Sequence, residues 1–334
     1  MSGSDIPYHL RPNKFVDRQI FFDLLSRVIP PDAVENYVYM SMGGKFLTDH
    51  SLMFQNLGIK HLYSFDGALA VVKRQKFNLP YSFVRSEHKS SKEFVDDFES
   101  VVGEYPVNSR CIVWLDYTNT KRSKQLGELQ HLVSKLNPFD IVRITLNADL
   151  ETITKSEGGI PKPFNTHEEY RLFVFNNELG EYGENPTKAQ MKKATFPIAL
   201  SNCVKTAMQK GAMINSEIAA KPLSIHSYSD GTPMLTVTAI ILPRGEIGKF
   251  FARKSISRWP RRSKSWTDVQ NLNLPDLSLK ERIEIDRRLK SSSPNQIAKS
   301  LGFNFGGKKK STIDQIRSYK SYCRYYPMFS RVEY

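Results

Sequence analysis

Two acidic residues, Asp66 and Asp116, each follow an apolar run typical of a strand, and a glycine pair, Gly43-Gly44, follows a third such run. Glycines let a backbone approach a ligand, and an acid about 20 residues further on can bind ribose hydroxyls. Asp66 follows the glycine pair at about that spacing. Asp116 stands directly after CIVWL, at the predicted carboxyl end of a central strand, where ligands bind in open α/β sheets. These residues therefore predict a site for a nucleotide-like ligand.

Each of these residues also has a purely structural interpretation. A Gly-Gly pair after a strand is often a plain tight turn. Asp66 can cap a helix that begins near Ala68, and this role is compatible with binding a ribose. The position of the three residues within a whole alternating sheet favours the functional interpretation.

The elements that would position these residues alternate between helix and strand. After a helix at 15–28, the periodicity predicts strands at 37–41, 59–65, 81–85, 111–115 and 141–146, with helices at 46–57, 68–77, 91–102 and 121–136. Two further strands meet at 229–231, a turn signal that predicts an antiparallel hairpin. The pattern predicts an α/β fold with a doubly wound, mostly parallel, seven-stranded sheet that ends in this hairpin.

The composition changes along the chain suggest three domains. Residues 1–36 form a helical lead-in, 37–245 a Rossmann-like domain, and 246–334 a basic, helical C-terminal extension. The stretch 150–200 is polar and rich in glycine, which predicts an insertion into the second domain.

The glycine turn after the first strand, the acids that end strands two and four, and the terminal hairpin together resemble a class I S-adenosylmethionine-dependent methyltransferase over about residues 8 to 245. The resemblance implies S-adenosylmethionine as the cofactor. It places the methionine part at Met42, Gly43 and Gly44, the ribose at Asp66, the adenine near Ser86 and Glu87, and the reacting centre beside Asp116 and Tyr117. The usual turn has glycine at alternate positions, whereas this chain has SMGGKF. The alternative is therefore an inactive, methyltransferase-like nucleotide-binding subunit of a larger nucleic-acid-associated or defence-type assembly.

Some methyltransferases also bind the cofactor's carboxylate through a segment ahead of strand one. Here that segment supplies Arg11, Asn13 and Lys14, and Arg11 or Lys14 could bind a carboxylate by charge. The structural alternative is a surface segment in which Asn13 caps the first helix.

The residues after strand four narrow the reaction. Enzymes that methylate amino groups of nucleic acids usually have two prolines in this place, and cytosine carbon-5 enzymes need a proline-cysteine nucleophile. The sequence Asp116-Tyr117-Thr118 has neither. The resemblance therefore implies O- or N-methylation, with Asp116 and Tyr117 as the catalytic candidates.

The excess of positive charge in the chain predicts the class of its binding partner. The chain has 48 Lys and Arg against 34 Asp and Glu, a net charge of +14. Basic residues mixed with aromatic ones suit single-stranded or distorted nucleic acid, because cations neutralise phosphates and rings stack on bases. The predicted nucleic-acid contacts are Arg253, Lys254, Arg258, Arg261, Arg262, Lys264, Lys308, Lys309 and Lys310. The alternative is a solvated basic surface whose tryptophans lie in a core.

Other classes of protein fit the sequence poorly. No apolar run approaches the roughly 20 residues that span a bilayer, and the first residues lack the apolar core of a signal peptide. Three widely spaced cysteines indicate reduced thiols and no structural zinc. We therefore expect a cytoplasmic protein without a metal or membrane partner, and a protein partner or a homo-oligomer is compatible with the sequence.

Overall fold

A computed structural model describes residues 12–326 except 156, 158 and 306–308, and the side chain of residue 309 is also outside the description. Its centre is one eight-stranded sheet in the order β3-β2-β1-β4-β5-β7-β6-β8. The strands are β1 (Tyr37–Ser41), β2 (His61–Asp66), β3 (Val84–His88), β4 (Arg110–Asp116), β5 (Ile141–Asn147), β6 (Ile218–Asp230), β7 (Thr232–Pro243) and β8 (Gln270–Leu272). Strands β1 to β5 are parallel, and β7 runs antiparallel to β5. The predicted fold class is confirmed, with β8 as an additional short strand.

Thirteen α-helices lie within the described residues. They are α1 (Pro12–Val28), α2 (Thr48–Leu57), α3 (Leu69–Phe77), α4 (Ser91–Asp96), α5 (Phe98–Gly103), α6 (Arg122–Lys135), α7 (His167–Leu179), α8 (Phe196–Ala212), α9 (Ile247–Ala252), α10 (Lys254–Ser257), α11 (Leu279–Arg288), α12 (Pro294–Leu301) and α13 (Lys309–Tyr322). The helix predicted at 91–102 is divided at Asp97 into α4 and α5.

The chain forms two compact units. Within the described residues, unit 1 comprises Phe22–Ser227 and Thr232–Gln270, and unit 2 comprises 12–21, Tyr228–Gly231 and 271–326. Unit 1 contains the parallel strands and the predicted site on them. Unit 2 joins the start of α1, the tip of the β6–β7 hairpin and the C-terminal helices. The linear division into three domains stays a prediction.

The two faces of the parallel strands differ in chemistry. One face supplies alternating residues such as Val38 and Met40 of β1 and Val113 and Leu115 of β4 to the main hydrophobic core, which α4 to α8 also line. The other face includes Ser41, Ser64, Thr145 and the guanidinium of Arg143, all buried. Alternate residues of a strand point to opposite faces, so the polar positions recur with period two. The second face thus carries these polar groups among buried apolar residues such as Tyr39 and Trp114, and it is here called the polar face.

The insertion after β5 is packed onto this core. Its helix α7 begins at the Thr166 cap and buries Phe175 and Leu179 in the main core cluster. Met191 and Phe196, further along, belong to the same cluster. Among the described helices, none has the length and apolar character needed to cross a membrane.

Candidate functional site

The site begins at the turn that follows β1. Gly43 and Gly44 have φ angles of 63° and 57°, and Leu47 has 51°. A Cβ on Gly43 would lie 2.5 Å from Ser64 Oγ and 2.7 Å from Leu47 Cδ2, closer than real Cβ contacts, and 3.0 Å from His50 Cε1. Position 43 therefore needs glycine both for its left-handed backbone and for space.

Gln75 of α3 fixes this turn. Its buried side chain donates to the carbonyls of Met42 at 3.1 Å and Gly44 at 2.9 Å. Its Oε1 accepts a 2.6 Å hydrogen bond from Ser86 Oγ at the end of β3. Sequence reasoning missed Gln75, because nothing distinguishes a clamping glutamine from an ordinary helical one until the partners are known. The turn and the end of β3 are thus held by one side chain.

Strand register brings the two predicted acids to one face of the sheet. Ser41 of β1 lies beside Ser64 of β2 and Trp114 of β4. Asp66 and Asp116 follow those two neighbours by two residues, so both project from the same face as Ser41. The order of strands reverses at β1 and β4, and ligands of doubly wound sheets bind at the carboxyl end of this switch point. The acids therefore flank the place where the fold provides a crevice.

Three buried polar atoms around the turn have no hydrogen-bond partner among the described residues. They are Ser41 Oγ, Ser64 Oγ and His50 Nδ1. The other ring nitrogen of His50 lies 2.9 Å from the carbonyl of Tyr63, and burial lowers the pKa of this imidazole. Burying a polar group without a partner is costly, so such a cluster is expected where a ligand or water completes it.

Asp66 is partly exposed at the end of β2. Its Oδ1 accepts a 2.8 Å hydrogen bond from the backbone of Ala68, which leads into α3. Burial raises the pKa of Asp66, and the Ala68 N–H opposes this rise by stabilising the carboxylate. One carboxylate oxygen of Asp66 thus fixes the backbone that leads into α3, while the side chain remains partly exposed at the carboxyl end of β2.

The structure separates Ser86 from Glu87. Ser86 lies beside Ser64 in register and shares the face of the turn, whereas Glu87 is paired with Phe65 on the apolar face. Glu87 accepts hydrogen bonds from Tyr63 at 2.8 Å and Arg85 at 2.7 Å. Burial alone would raise the pKa of Glu87, but these two donors hold it below its usual value. Ser86 is therefore the member of the pair that lies near the turn.

Asp116 and Tyr117 are separated in the same way. Asp116 is partly exposed opposite Thr145 of β5, at the edge of the polar face. Tyr117 lies in the main core and donates a 2.5 Å hydrogen bond to Glu128 of α6. Burial and the nearby carboxylate raise the pKa of Tyr117 well above its ordinary value. The structure thus leaves the Asp116 side chain partly exposed at the carboxyl end of β4 and engages the Tyr117 hydroxyl inside the protein.

Arg122, at the start of α6, organises the carboxyl end of β5. Its side chain is 1% exposed and donates to the carbonyl of Asn147 at 2.8 Å, to Glu178 of α7 at 3.3 Å and to Thr152. Beside it is an open cleft of about 650 Å³, lined by Thr120, Lys121, Arg122, Ser123, Lys124, Thr152 and Glu178. The cleft lies between the loop after β4 and the insertion.

The predicted N-terminal contacts lie in unit 2. Asn13 donates from its backbone and side chain to Asp230 Oδ1, and Lys14 donates from its backbone to Asp230 Oδ2 at 2.8 Å. Asn13 Oδ1 accepts from the backbone of Leu274 at 3.0 Å. Asn13 thus joins the start of α1 to the hairpin tip, and Arg11 lies outside the described residues.

Part of the predicted nucleic-acid cluster serves internal packing. Arg253 donates to the carbonyls of Val28 at 3.2 Å and Arg27 at 3.3 Å, where α1 ends. Trp259 is buried and donates to Asp23 at 2.7 Å. The buried Trp259 follows the structural alternative foreseen for the tryptophans of this stretch, whereas the Arg253 guanidinium is bound to the end of α1.

Other members of the cluster face solvent. Lys254, Arg258, Lys264 and Lys310 are exposed, while Arg261 and Arg262 are half-buried. The Arg262 guanidinium lies 4.3 Å from the ring centre of Phe251. Lys308 and the side chain of Lys309 fall outside the described residues.

The described residues contain no group of three or more metal-ligating side chains. The cysteines Cys111, Cys203 and Cys323 are free thiols, and burial raises the pKa of Cys111 and Cys203.

Comparison with known proteins relates this architecture to a family. Solved structures with a similar fold include a tryptophan-to-alanine mutant of the 16S rRNA (adenine(1408)-N(1))-methyltransferase from Catenulisporales acidiphilia with cosubstrate SAM, at 11% identity, 65% coverage of this chain, 93% of that chain and a TM-score of 0.31. The plantazolicin methyltransferase BpumL with a pentazolic desmethylPZN analog and SAH matches at 11% identity, 70% coverage of this chain, 86% of that chain and a TM-score of 0.35. At these values, neither likeness identifies a substrate or a site residue.

No curated protein matches the chain. A family model described as "Putative O-methyltransferase" matches residues 6–334. That match covers nearly the whole chain and confirms the methyltransferase resemblance drawn from the sequence. The chain belongs to this O-methyltransferase family.

Proposed function

We propose that the protein transfers a methyl group from S-adenosylmethionine to an oxygen atom of its acceptor. The observation that supports this most is the glycine turn at the switch point between β1 and β4, with Asp66 and Asp116 on the same face of the sheet. Family membership supports the reaction class.

The residues around the turn fit the cofactor. The absence of a Cβ at Gly43 lets the turn pack closely on Ser64 and His50, and Ser41 Oγ, Ser64 Oγ and His50 Nδ1 supply unsatisfied polar atoms beside it. We assign Met42, Gly43 and Gly44 to the methionine part, Asp66 to the ribose and Ser86 to the adenine side. When bound, the sulfonium of S-adenosylmethionine supplies an electrophilic methyl group.

Asp116 is the candidate general base. An acceptor hydroxyl must lose its proton as the oxygen attacks, and a carboxylate at the edge of the crevice can accept that proton. Strand β4 pairs in parallel with β1 as far as Trp114 and with β5 as far as Asp116. These pairings hold the backbone of Asp116 in place. The same side chain can orient the hydroxyl before transfer.

A nucleic acid is the acceptor class that we favour. The chain has a net charge of +14, and exposed cations such as Lys254, Arg258 and Lys264 have no ion-pair partner among the described residues. Such unpaired cations attract phosphates with an affinity that falls as salt rises.

The test is calorimetric titration of the purified protein with S-adenosylmethionine, followed by turnover assays. Removing the ribose contact in Asp66→Ala should weaken cofactor binding about 10- to 100-fold, since a hydrogen bond to a charged group contributes roughly 1.5–3 kcal/mol. Asp116→Asn should keep cofactor affinity but lower turnover about 10²- to 10⁴-fold, the usual contribution of a general base. Asp32→Ala, at an exposed position outside the site, is the matched control.

Two results would contradict the proposal. Absence of S-adenosylmethionine binding at high micromolar ligand would reject the enzyme, and binding of an adenine nucleotide in its place would favour the inactive nucleotide-binding subunit. Equal effects of Asp66→Ala and Asp32→Ala would reject the assigned ribose site.

A further inference from the structure

Helix α3 presents a basic and apolar surface next to the glycine turn. Lys73 lies four residues after Leu69, and Lys76 and Phe77 lie three and four residues after Lys73, so these side chains share one side of the helix and form a stripe there. Phe77 is 89% exposed and Leu69 is 50% exposed, whereas Val72 and Gln75 on the other side of the helix are buried. The stripe therefore faces solvent with both charged and apolar groups.

The charge of this stripe is not compensated. Lys73, Arg74 and Lys76 are exposed, α3 contains no acidic residue, and none of the three cations has an ion-pair partner among the described residues. Lys73 and Lys76 are three residues apart, where like charges repel and destabilise a helix slightly. An uncompensated cationic stripe fits a polyanionic partner.

Exposed rings lie beside these cations. Phe46, just after the glycine turn, is 49% exposed, and the Arg74 guanidinium lies 5.0 Å from its ring centre. Large exposed aromatic side chains are unusual on a surface without a partner.

The helix also connects this surface to the proposed cofactor turn. Gln75, on its buried side, donates to the Met42 and Gly44 carbonyls. Asn78, directly after the helix, donates to the carbonyl of Lys45 at 3.0 Å. The Arg74 guanidinium over Phe46 brings the outer surface of the helix close to the segment that follows the turn.

We infer that this surface, formed by Phe46, Lys73, Arg74, Lys76 and Phe77 and here called the α3 surface, binds single-stranded nucleic acid. The inference rests on the proposed function and names the surface that guides the acceptor to the crevice. Cations at this spacing neutralise successive phosphates, and exposed rings stack on unpaired bases. A duplex keeps its bases stacked on each other, so it can use only the charges.

The first test measures binding of a fluorescein-labelled mixed-sequence RNA of about 15 nucleotides by anisotropy at several salt concentrations. The triple variant K73E/R74E/K76E should weaken binding and reduce the slope of log affinity against log salt by at least about 2, because each neutralised phosphate contributes about 0.7 for single strands. The matched control is K280E/K290E/K299E, which changes the charge equally at exposed positions outside both the α3 surface and the basic cluster around Arg258. Equal losses in both variants would show unspecific attraction and overturn the α3 surface.

The second test separates stacking from charge. Phe77→Ala should weaken binding of the single strand about tenfold without changing the salt slope, since it removes a ring and no charge. The same variant should leave the weaker binding of the corresponding duplex unchanged. Unchanged single-strand affinity in Phe77→Ala, or equal affinity of the wild type for duplex and single strand, would overturn the inference in favour of a general polyanion surface such as one for acidic proteins.

Calorimetry keeps this inference distinct from the proposed function. The α3 variants should bind S-adenosylmethionine as the wild type does, because Gln75 and the glycine turn are unchanged. Loss of RNA binding with intact cofactor binding supports the α3 surface. A wild type that binds the cofactor but not the RNA overturns the surface and leaves the proposed cofactor site standing.

Discussion

At the scale of single residues, Gly43 is the most constrained position of the site. Gly43→Ala should lower the free energy of unfolding by about 3 kcal/mol, since it adds a left-handed alanine, which costs about 1–2 kcal/mol, to a steric clash that costs about 1–3 kcal/mol. Gly58 is the matched control, because its φ of 75° is also left-handed but a Cβ there meets nothing within 4 Å. Gly58→Ala should therefore show only the backbone cost.

Urea unfolding of both glycine variants measures the difference. Equal destabilisation would mean that Ser64 and His50 move away from the added methyl at no cost. The turn would then tolerate side chains, and its close packing would no longer be a reason for the unusual SMGGKF sequence.

His50 makes stability depend on pH. Burial lowers the pKa of His50 in the folded protein, while the unfolded imidazole titrates near its ordinary value of about 6.5. Below that pH the unfolded chain binds a proton that the folded protein does not, so the free energy of unfolding falls as pH falls and levels off at the folded pKa. Between pH 7.5 and 5.5 we expect a loss of roughly 1 kcal/mol from this residue, which His50→Gln removes.

Denaturant midpoints at the two pH values test this expectation. His131→Gln, at a side chain that is 48% exposed, provides the control. If His50→Gln kept the full pH dependence of the wild type, another buried group would be its source.

At the scale of elements, Arg122 joins α6, the end of β5 and the insertion. Arg122→Met should lower the free energy of unfolding by about 3–5 kcal/mol, because it leaves Glu178 and several acceptors without their donor. Lys124→Met changes a neighbouring cation whose side chain is 63% exposed and should cost less than about 1 kcal/mol.

Hydrogen exchange locates the effect of Arg122. Faster exchange in Arg122→Met should appear first in α7 and in the segment around Thr152, which depend on this side chain. Uniform acceleration throughout unit 1 would contradict a local role and indicate that Arg122 supports the whole sheet.

Elements with strong local signals were predictable from the sequence. Ser278 with Glu281 and Ser293 with Gln296 form capping boxes, and α11 and α12 begin at these residues. The short strand β8 left no recognisable period because it has three residues. The division between α4 and α5 depends on how Phe94 and Phe98 pack, which local propensity does not determine.

At the scale of the whole molecule, alternation of helix and strand was enough to predict the sheet and the strand ends that hold Asp66 and Asp116. It was not enough to decide which of two adjacent residues faces the crevice. Glu87 and Tyr117 lie on the apolar face because register with β2 and packing on α6 place them there. Those pairings join residues far apart in sequence, so composition and local period do not contain them.

The net charge likewise predicted a class of partner but not which residues of the chain contact that partner. Arg253 is bound at the end of α1, and Trp259 is buried beside Asp23. Fewer residues of this basic stretch are therefore accessible to a partner than the sequence suggests. Lys73, Arg74 and Lys76 form a shorter basic run, which a buried glutamine interrupts. Only the fold shows that Arg253 and Trp259 are engaged inside the protein, whereas Lys73, Arg74 and Lys76 are exposed.

The hydrogen bond between Asn13 and the backbone of Leu274 joins residues 261 positions apart. A ribosome adds about 5–20 residues per second, so Asn13 is synthesised roughly 13–50 seconds before Leu274. The N-terminal segment of unit 2 is therefore synthesised well before the C-terminal residues that complete its set of partners.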